Sequence, residues 1–484
     1  MGAEVLLVNC NRLRPPVAPL GLDYMADVLR AQGIRVGLLD LCFESDPETA
    51  VAERLGEITP TLVGLTLRNT DDCYLASGGD FLPEFVRLVD VMRRHTEAPL
   101  VVGGSGYSVF PGPILAAADV DYGITGDGEI ALAMLAQELM GECEVRRVPG
   151  LVWREGNEVK SNPPGLGPVE GLPGRTRSLL DNRRYFAEGG QAGIETKRGC
   201  DRNCIYCADP VGKGRRVRMR SPAQVGDEFA VLLAQGIDHF HLCDSEFNVP
   251  MEHASAVCEE LARQGIGESA RWYTYATPGG FTLELARAMR KAGCVGINFG
   301  ADSGDDRMLG ELGRDFRAAD LWGTAEACRE AGLVFMYDLL LGGPGETRES
   351  VARTIELMKR ISPSRVGVSL GVRIYEGTRL SESVRAEGPV ESNPNLRSMH
   401  RLRGAVADNA DFLAPVFYLS SELGDGAAEY VAGLVGGDQR FFFPTAEAGT
   451  EAYNYSDNER LVEAIKQGYR GAYWDILRRL SEGD

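Results

Sequence analysis

The sequence predicts an α/β protein built of two parallel-sheet units and a mainly helical C-terminal region. Three observations carry that prediction. Apolar strand-like runs alternate with amphipathic helical stretches up to residue 140, the rhythm weakens from 141 to 189, and it returns with different residues from 190 to about 380. Strands joined by helices of this length pair in parallel, with helices covering both faces. The expected division is a doubly wound, Rossmann-like domain at 1–140, a linker at 141–189, a partial (β/α)6 barrel at 190–380 and a capping region at 381–484.

The elements follow in order. "EVLLVNC" is a buried strand, "PLGLDYMADVLRAQG" a helix with Leu22, Met25, Val28 and Leu29 on one face, and Gly33 its stop. "IRVGLLDL", "TLVGLTL", "APLVVGGSG" and "VDYGITGDGE" are the next four strands, with helices such as "FLPEFVRLVDVMRRH" between them. "RVPGLVWREGNEVKSNPPG" reads as a strand pair and a Pro/Gly-rich crossing. Six strand–helix units then begin at "AGIETKRG", "HFHLCDSEF", "RWYTYAT", "GCVGINFGADS", "LVFMYDLLLGG" and "RVGVSLGVRIY". "SDNERLVEAIKQGYRGAYWDILRRLSE" near the end reads as one amphipathic helix capped by Ser456 with Glu459 three residues on.

Composition narrows the function. A chain of 484 residues exceeds one ordinary core. Its formal charge of -19 repels phosphate backbones, so nucleic acid is not an expected partner. No run of 18 uncharged apolar residues is present, and the first residues lack the basic start of a secretory signal. Eleven scattered cysteines are an odd number and read as reduced thiols, so a cytoplasmic location is expected. Cys10, Cys42, Cys73, Cys143, Cys243, Cys258, Cys294 and Cys328 read mostly as small core residues. The basic stretch "KGRRVRMR", 213–220, is either a solvated edge or a positive wall near the remaining three cysteines.

Those three, Cys200, Cys204 and Cys207, fall in "ETKRGCDRNCIYCADP", just after the first barrel strand. Thiolates select zinc or iron–sulfur clusters. A four-iron cluster takes one cysteine per iron, so three ligands leave one iron open for chemistry. A zinc site completed from elsewhere is the competing reading. Barrel chemistry sits at the C-terminal ends of strands, and this loop is there.

The Cys-x3-Cys-x2-Cys spacing with Tyr206 before the third cysteine resembles the signature of the radical S-adenosylmethionine (SAM) superfamily. The resemblance covers roughly 190–380 and implies a [4Fe-4S] cluster whose open iron is chelated by SAM, which is cleaved to a 5′-deoxyadenosyl radical. It also implies SAM contacts from Tyr206, from Asp244 and Glu246 in "HLCDSEFN", from Asp302 and Ser303 in "NFGADSG", from Arg314, and from Gly342, Gly343 and Glu346 in "LLLGGPGET". Asp302 is a shorter acid than the Glu that many relatives carry there.

An open α/β domain ahead of such a barrel looks like the cobalamin-binding domain of the cobalamin-dependent class. The matching residues are Gly103, Gly104, Ser105, Gly106 and Tyr107 in "VVGGSGYSVFP" and Gly126, Gly128 and Glu129 in "YGITGDGE". The glycines are expected to let a corrin and its nucleotide tail lie close to the backbone. A domain that keeps the fold without holding a corrin is the other reading. The Asp-x-His-x-x-Gly motif is absent, and none of the five histidines falls in a ligand-end loop of the first domain. Arg68 and Asn69, in "LRNTDDC", are therefore the candidates to face the lower side of cobalt. Arg68 is alternatively an ion-pair partner of Asp71 or Asp72.

The resemblance implies methylation of an unactivated carbon of a small-molecule biosynthetic intermediate, through the 5′-deoxyadenosyl radical and methylcobalamin, with an external electron donor such as flavodoxin or ferredoxin. Alternatives are a rearrangement, cyclisation or oxidation with the same cofactors, or a cluster-carrying electron-transfer protein. Tyr273 and Tyr275 share one face of the third barrel strand and are the candidate substrate contacts. Phe417, Tyr418, Phe441, Phe442, Tyr453 and Tyr455 either line an apolar pocket or pack in a core. The C-terminal region is expected to cap the barrel mouth.

Overall fold

The computed structural model describes residues 5–141, 144–398, 412–443 and 454–483. The first sheet holds β1 (Val5–Asn9), β2 (Val36–Asp40), β3 (Leu62–Thr66), β4 (Leu100–Gly103), β5 (Tyr122–Ile124), β6 (Leu151–Glu155) and β7 (Glu158–Ser161). Its order is β2-β1-β3-β4-β5-β6-β7, parallel through β5 and antiparallel beyond. The expected strand pair therefore belongs to this sheet as its outer edge rather than to a linker. The sequence reaches the barrel only over 162–191, where Asp181 caps a short helix, Asn182–Gly189.

β1 is buried along its whole length. A strand at the centre of a doubly wound sheet is covered on both faces, which is why its residues run apolar without alternation. The order of the sheet reverses between β1 and β3. Their carboxyl ends, with that of β4, form the crevice where such sheets take ligands.

The second sheet starts with β8 (Ala192–Ile194), which is followed by a small antiparallel pair, β9 (Lys197–Arg198) and β10 (Arg218–Met219). That pair brackets the cysteine loop. The sheet continues with β11 (His239–Leu242), β12 (Arg271–Ala276), β13 (Cys294–Asp302), β14 (Val334–Leu341) and β15 (Arg365–Leu370). A short sheet of β16 (Val372–Arg373), β17 (Leu396–Arg397) and β18 (Phe417–Tyr418) lies beside the mouth, and β19 (Phe441–Phe442) adds a seventh parallel strand next to β15. The order β19-β15-β14-β13-β12-β11-β8 is an open barrel. Of the aromatics left open between pocket and core, Phe417, Tyr418, Phe441 and Phe442 are buried packing, and Tyr453 lies outside the described residues.

The C-terminal region departs from expectation. The single amphipathic helix is two, Glu459–Lys466 and Tyr473–Glu482, and Asn458 rather than Ser456 caps the first by accepting from Leu461 N–H. Gly471 makes the break at φ +116°, where a Cβ would stand 2.7 Å from the Tyr273 ring. Leu461, Ile465, Trp474, Ile476 and Leu477 pack with Tyr273, Met336 and Phe442 in one cluster. These helices thus fill the barrel interior toward the N-terminal ends of its strands, and do not cap its mouth. Among the described residues no helix is long and apolar enough to cross a membrane.

Candidate active site

The two sheets turn their C-terminal ends toward one cavity of about 730 Å³. The first domain contributes Asn9, Arg68, Asn69, Gly103 to Gly106, and Gly126 to Glu129. The barrel contributes Tyr206, Cys207, Asp209, Lys213 and Cys243. A deeper apolar arm runs between the strands and the helices Leu20–Ala31 and Gly128–Met140, past Leu7, Met25, Gly64, Val102 and Leu132.

Charged ties hold the two halves around the cavity. Arg198 donates to both oxygens of Glu129 at 2.6 and 3.0 Å, and Arg218 is paired with Asp127. Arg177, buried beneath, bonds Asp23 at 3.0 Å and Glu228 at 2.8 Å, and Tyr24 donates to the same Glu228. The basic stretch is therefore largely ion-paired: Arg218 with Asp127, Arg220 with Glu228, and Lys213 with Asp209 at 3.0 Å.

The cysteine loop lies at the end of β9. Burial pushes the Cys200 thiol up to about 11 and raises Cys204 and Cys207, and each of the three feels the others' charge or that of their acidic neighbours. Ligation displaces those protons. Arg314 Nη1 donates to Cys204 Sγ at 2.9 Å. Its other nitrogens reach Gly300 O at 2.8 Å, Glu246 Oε1 at 3.4 Å and Asp302 Oδ2 at 3.3 Å. Tyr206 donates to Asp302 Oδ2 at 2.5 Å. Tyr206, Glu246, Asp302 and Arg314, each implied by the resemblance as a SAM contact, thus meet beside Cys204. Glu246 Oε2 is buried with no donor, and burial raises its carboxyl. Among the described residues no group of three His, Cys, Asp or Glu converges as around a single ion. Three thiols of one loop, near enough to feel one another's charge, are the donor set of a cube that takes one thiolate per iron.

Several expected contacts are corrected. Asp244 accepts from Thr196 N–H at 2.8 Å and from Lys197 Nζ at 3.0 Å, so it fastens β8 and β9 to β11 instead of facing a ligand. Ser303 is fully buried and shares a hydrogen bond with Thr354. Glu346 is fully buried and accepts from Gly342 N–H and Ser350 Oγ, closing its own loop; burial lifts it to about 7. Gly342 has φ +95°, and a Cβ there would meet Leu419 at 2.6 Å, while one at Gly343 would meet Leu312 at 3.0 Å. Close protein packing on the Cβ side is a reason for glycine at both positions. The same holds in the first domain: a Cβ at Gly104 would stand 2.5 Å from the Leu67 carbonyl and one at Gly106 3.0 Å from Asn69 backbone. Gly104 and Gly106, both on the cavity wall, let two ligand-end loops cross closely. Tyr107 is fully buried and absent from the cavity wall, and the Glu129 carboxylate faces Arg198. Tyr273 is only 4% exposed and donates to Asp475 at 2.9 Å, so it belongs to the packed floor.

Arg68 resolves differently from its alternative. Asp71 is taken by Arg373 at 2.9 Å, and Asp72 by Ser77 Oγ and Asn454 Nδ2. Arg68 is exposed to the cavity, and among the described residues its guanidinium forms no ion pair. Asn69 lines the same wall. Sequence reading missed Asp209 and Tyr375, reached Lys213 only as the first residue of the basic stretch, and took Cys73 and Cys243 for core residues. Both thiols are exposed, yet burial lifts them to about 12 and about 11, which places them on enclosed space. Cys143 lies outside the described residues.

Comparison with known proteins agrees with this geometry. The radical SAM superfamily model matches residues 194–358 and the B12 binding domain model residues 7–136. The structure is similar to the radical SAM methyltransferase TsrM of Kitasatospora setae, solved with tryptophan and a SAM analogue: 30% identity, TM-score 0.90, over 99% of this chain and 98% of that one. The chain is 29% identical to the tryptophan 2-C-methyltransferase of Streptomyces laurentii, over 97% of this chain and 95% of the relative. It is 26% identical to the cytidylyl-2-hydroxyethylphosphonate methyltransferase of Streptomyces wedmorensis over 61% of this chain and 63% of that protein. With three thiols beside a cation at one end of the cavity and a doubly wound ligand crevice at the other, the chain belongs to the cobalamin-dependent radical SAM enzymes, with a [4Fe-4S] cluster, SAM and cobalamin as cofactors.

Proposed function

We propose that the enzyme methylates an unactivated carbon of a small-molecule biosynthetic intermediate in the cytoplasm. The observation that carries this reading is the single cavity onto which both Cys207 and Arg68 open. Two separated sites would suit electron transfer, whereas a shared one lets a group pass between cofactors. Bound here, cobalamin supplies a methyl carrier, and the cluster with SAM supplies methyl groups and radical or reducing chemistry.

The chain's own part is positioning and exclusion of water. Cys200, Cys204 and Cys207 hold the cluster, and Arg314 balances their charge through Cys204. Glu246 offers a free acceptor of the kind an ammonium group takes. Arg68 and Asn69 lie on the first-domain wall; a guanidinium cannot ligate a metal, and it disfavours a further cation beside it. The apolar arm past Gly64 suits a flat, uncharged tail. The relatives that are methyltransferases by name support methyl transfer over a non-methylating reaction. A small flavoprotein or ferredoxin is the proposed electron donor.

Anaerobic reconstitution with iron, sulfide and hydroxocobalamin tests the reading. The expected outcome is a cluster spectrum, a bound corrin spectrum, and, with SAM and tryptophan as the first candidate substrate, a product heavier by one methyl group. SAM cleavage with a product of unchanged composition would replace methylation by rearrangement or oxidation, and a cluster without SAM turnover would leave only a carrier.

A further inference from the structure

Inside the barrel, between the cysteine loop and the packed floor, lies a polar layer apart from the residues assigned above to the cluster, SAM and cobalamin. Strand alternation puts His241, Tyr275, Asn298 and Asp338 on the inner face, because Leu242, Ala276, Phe299, Tyr337 and Leu339 between them pack outward under the helices. Asn298 Nδ2 donates to Asp338 Oδ2 at 2.7 Å. Asn298 is 3% exposed, and its Oδ1 has no donor. The residues paired with Asp338 on both neighbouring strands are glycines, Gly300 and Gly367. A Cβ at Gly367 would stand 2.1 Å from Asp338 Oδ1, so the missing side chain leaves that oxygen its space.

The surroundings are aromatic. Tyr275 keeps 44% of its surface free while burial lifts its hydroxyl to about 12, a combination that enclosed space produces. The His241 ring lies 4.9 Å from it, centroid to centroid. Asp338 is the first charged group that Tyr275 and Tyr455 each feel, so both rings stand near its carboxylate. One buried acceptor without a donor, Asn298 Oδ1, beside an Asp338 carboxylate that is only partly covered, suits a flat ligand that brings a donor with it; leaving the buried oxygen unmet is costly.

We propose that Asp338 and Asn298 anchor the substrate, a planar aromatic heterocycle that donates its ring N–H to this pair and packs on Tyr275. The proposal rests on the methyltransferase reading above, and it adds the group by which the substrate is read. A site built to hydrogen-bond one N–H discriminates strongly against the same ring without it.

The test is equilibrium dialysis of the reconstituted holoenzyme with tryptophan, 1-methyltryptophan and indole-3-propionate. Blocking the ring nitrogen is expected to weaken binding by at least about tenfold, whereas removing the amine is not. In Asp338→Leu the two tryptophans should bind alike. Asp338→Asn, nearly isosteric, should narrow the gap while melting like the wild type. The proposal is overturned if neither indole binds the wild type, if loss of the amine rather than of the ring N–H weakens binding, or if Asp338→Leu and Asp338→Asn both keep the full discrimination. Failure of SAM to change the wild-type corrin spectrum would instead fault the methyltransferase reading, since that step needs no substrate.

Discussion

Tyr273 and Tyr275 stand two residues apart on the same face of β12, yet one is sealed and the other open. Tyr273 lies in the layer filled by the C-terminal helices, its hydroxyl spent on Asp475 and its ring against Trp474 at 6.1 Å. Tyr275 lies one layer nearer the mouth, where nothing from those helices covers it to the same extent. The barrel interior therefore has two jobs at two depths: the lower layer is core, and the upper layer is chamber. Alternation tells which face a residue takes, but depth depends on what a distant segment brings to that face.

The sharpest way to break this contrast is Tyr273→Ala. It removes a buried ring and leaves Asp475 without its donor, so a loss of about 3–5 kcal/mol in chemical unfolding is expected. A loss under about 1 kcal/mol would mean that the floor is not packed as described.

The second test uses two acids that repeat the contrast. Glu346 is sealed and Asp338 faces the chamber, and burial raises both, to about 7 and about 6. A carboxyl with a raised folded-state pKa holds more protons folded than unfolded. Stability is therefore greatest when both states are protonated and falls as pH rises through the window between the unfolded and folded values. For Glu346 that window runs from about 4.5 to about 7. Glu346→Gln should flatten the decline by up to about 3 kcal/mol between pH 4.5 and 8. An unchanged slope in urea titrations at those pH values would show that Glu346 is not the sealed acid. For Asp338 the same protonation removes a negative acceptor, so tryptophan affinity should fall as pH drops below about 6.

The smallest expected effect on stability is that of Tyr275→Ala, within about 0.5 kcal/mol, because the ring already borders open space. Its dissociation constant for tryptophan should nonetheless rise several-fold. A large destabilisation with unaltered binding would make Tyr275 a second Tyr273.

Local patterns were legible in the chain and long-range partners were not. The three cysteines and Tyr206 declare themselves because their spacing is short and their chemistry leaves few options. Arg314, a hundred residues on, was reached only through the family resemblance. Asp244, Glu246 and Glu346 look alike in sequence, each an acid at a strand end. Lys197, Thr196 and Ser350 decide that two of them are internal fasteners, while Glu246 keeps a free oxygen. The glycines of the first domain were expected against a corrin, and the Leu67 carbonyl beside Gly104 adds a reason for glycine that no local pattern shows. A lone acid in the apolar run "FMYDLLL" and a lone amide in "GINFGAD" were the signals for the Asp338–Asn298 pair. Their meaning depends on two glycines of flanking strands that only the sheet register brings beside them.

The guanidinium pairs that join Arg198 to Glu129 and Arg218 to Asp127 make the two sheets share one fate. A molecule gripped by both walls is bound by the joined form alone, and mass action then steadies each sheet by the same amount. Heat resistance of the iron-bearing half thus becomes a gauge of whether the other half has been loaded.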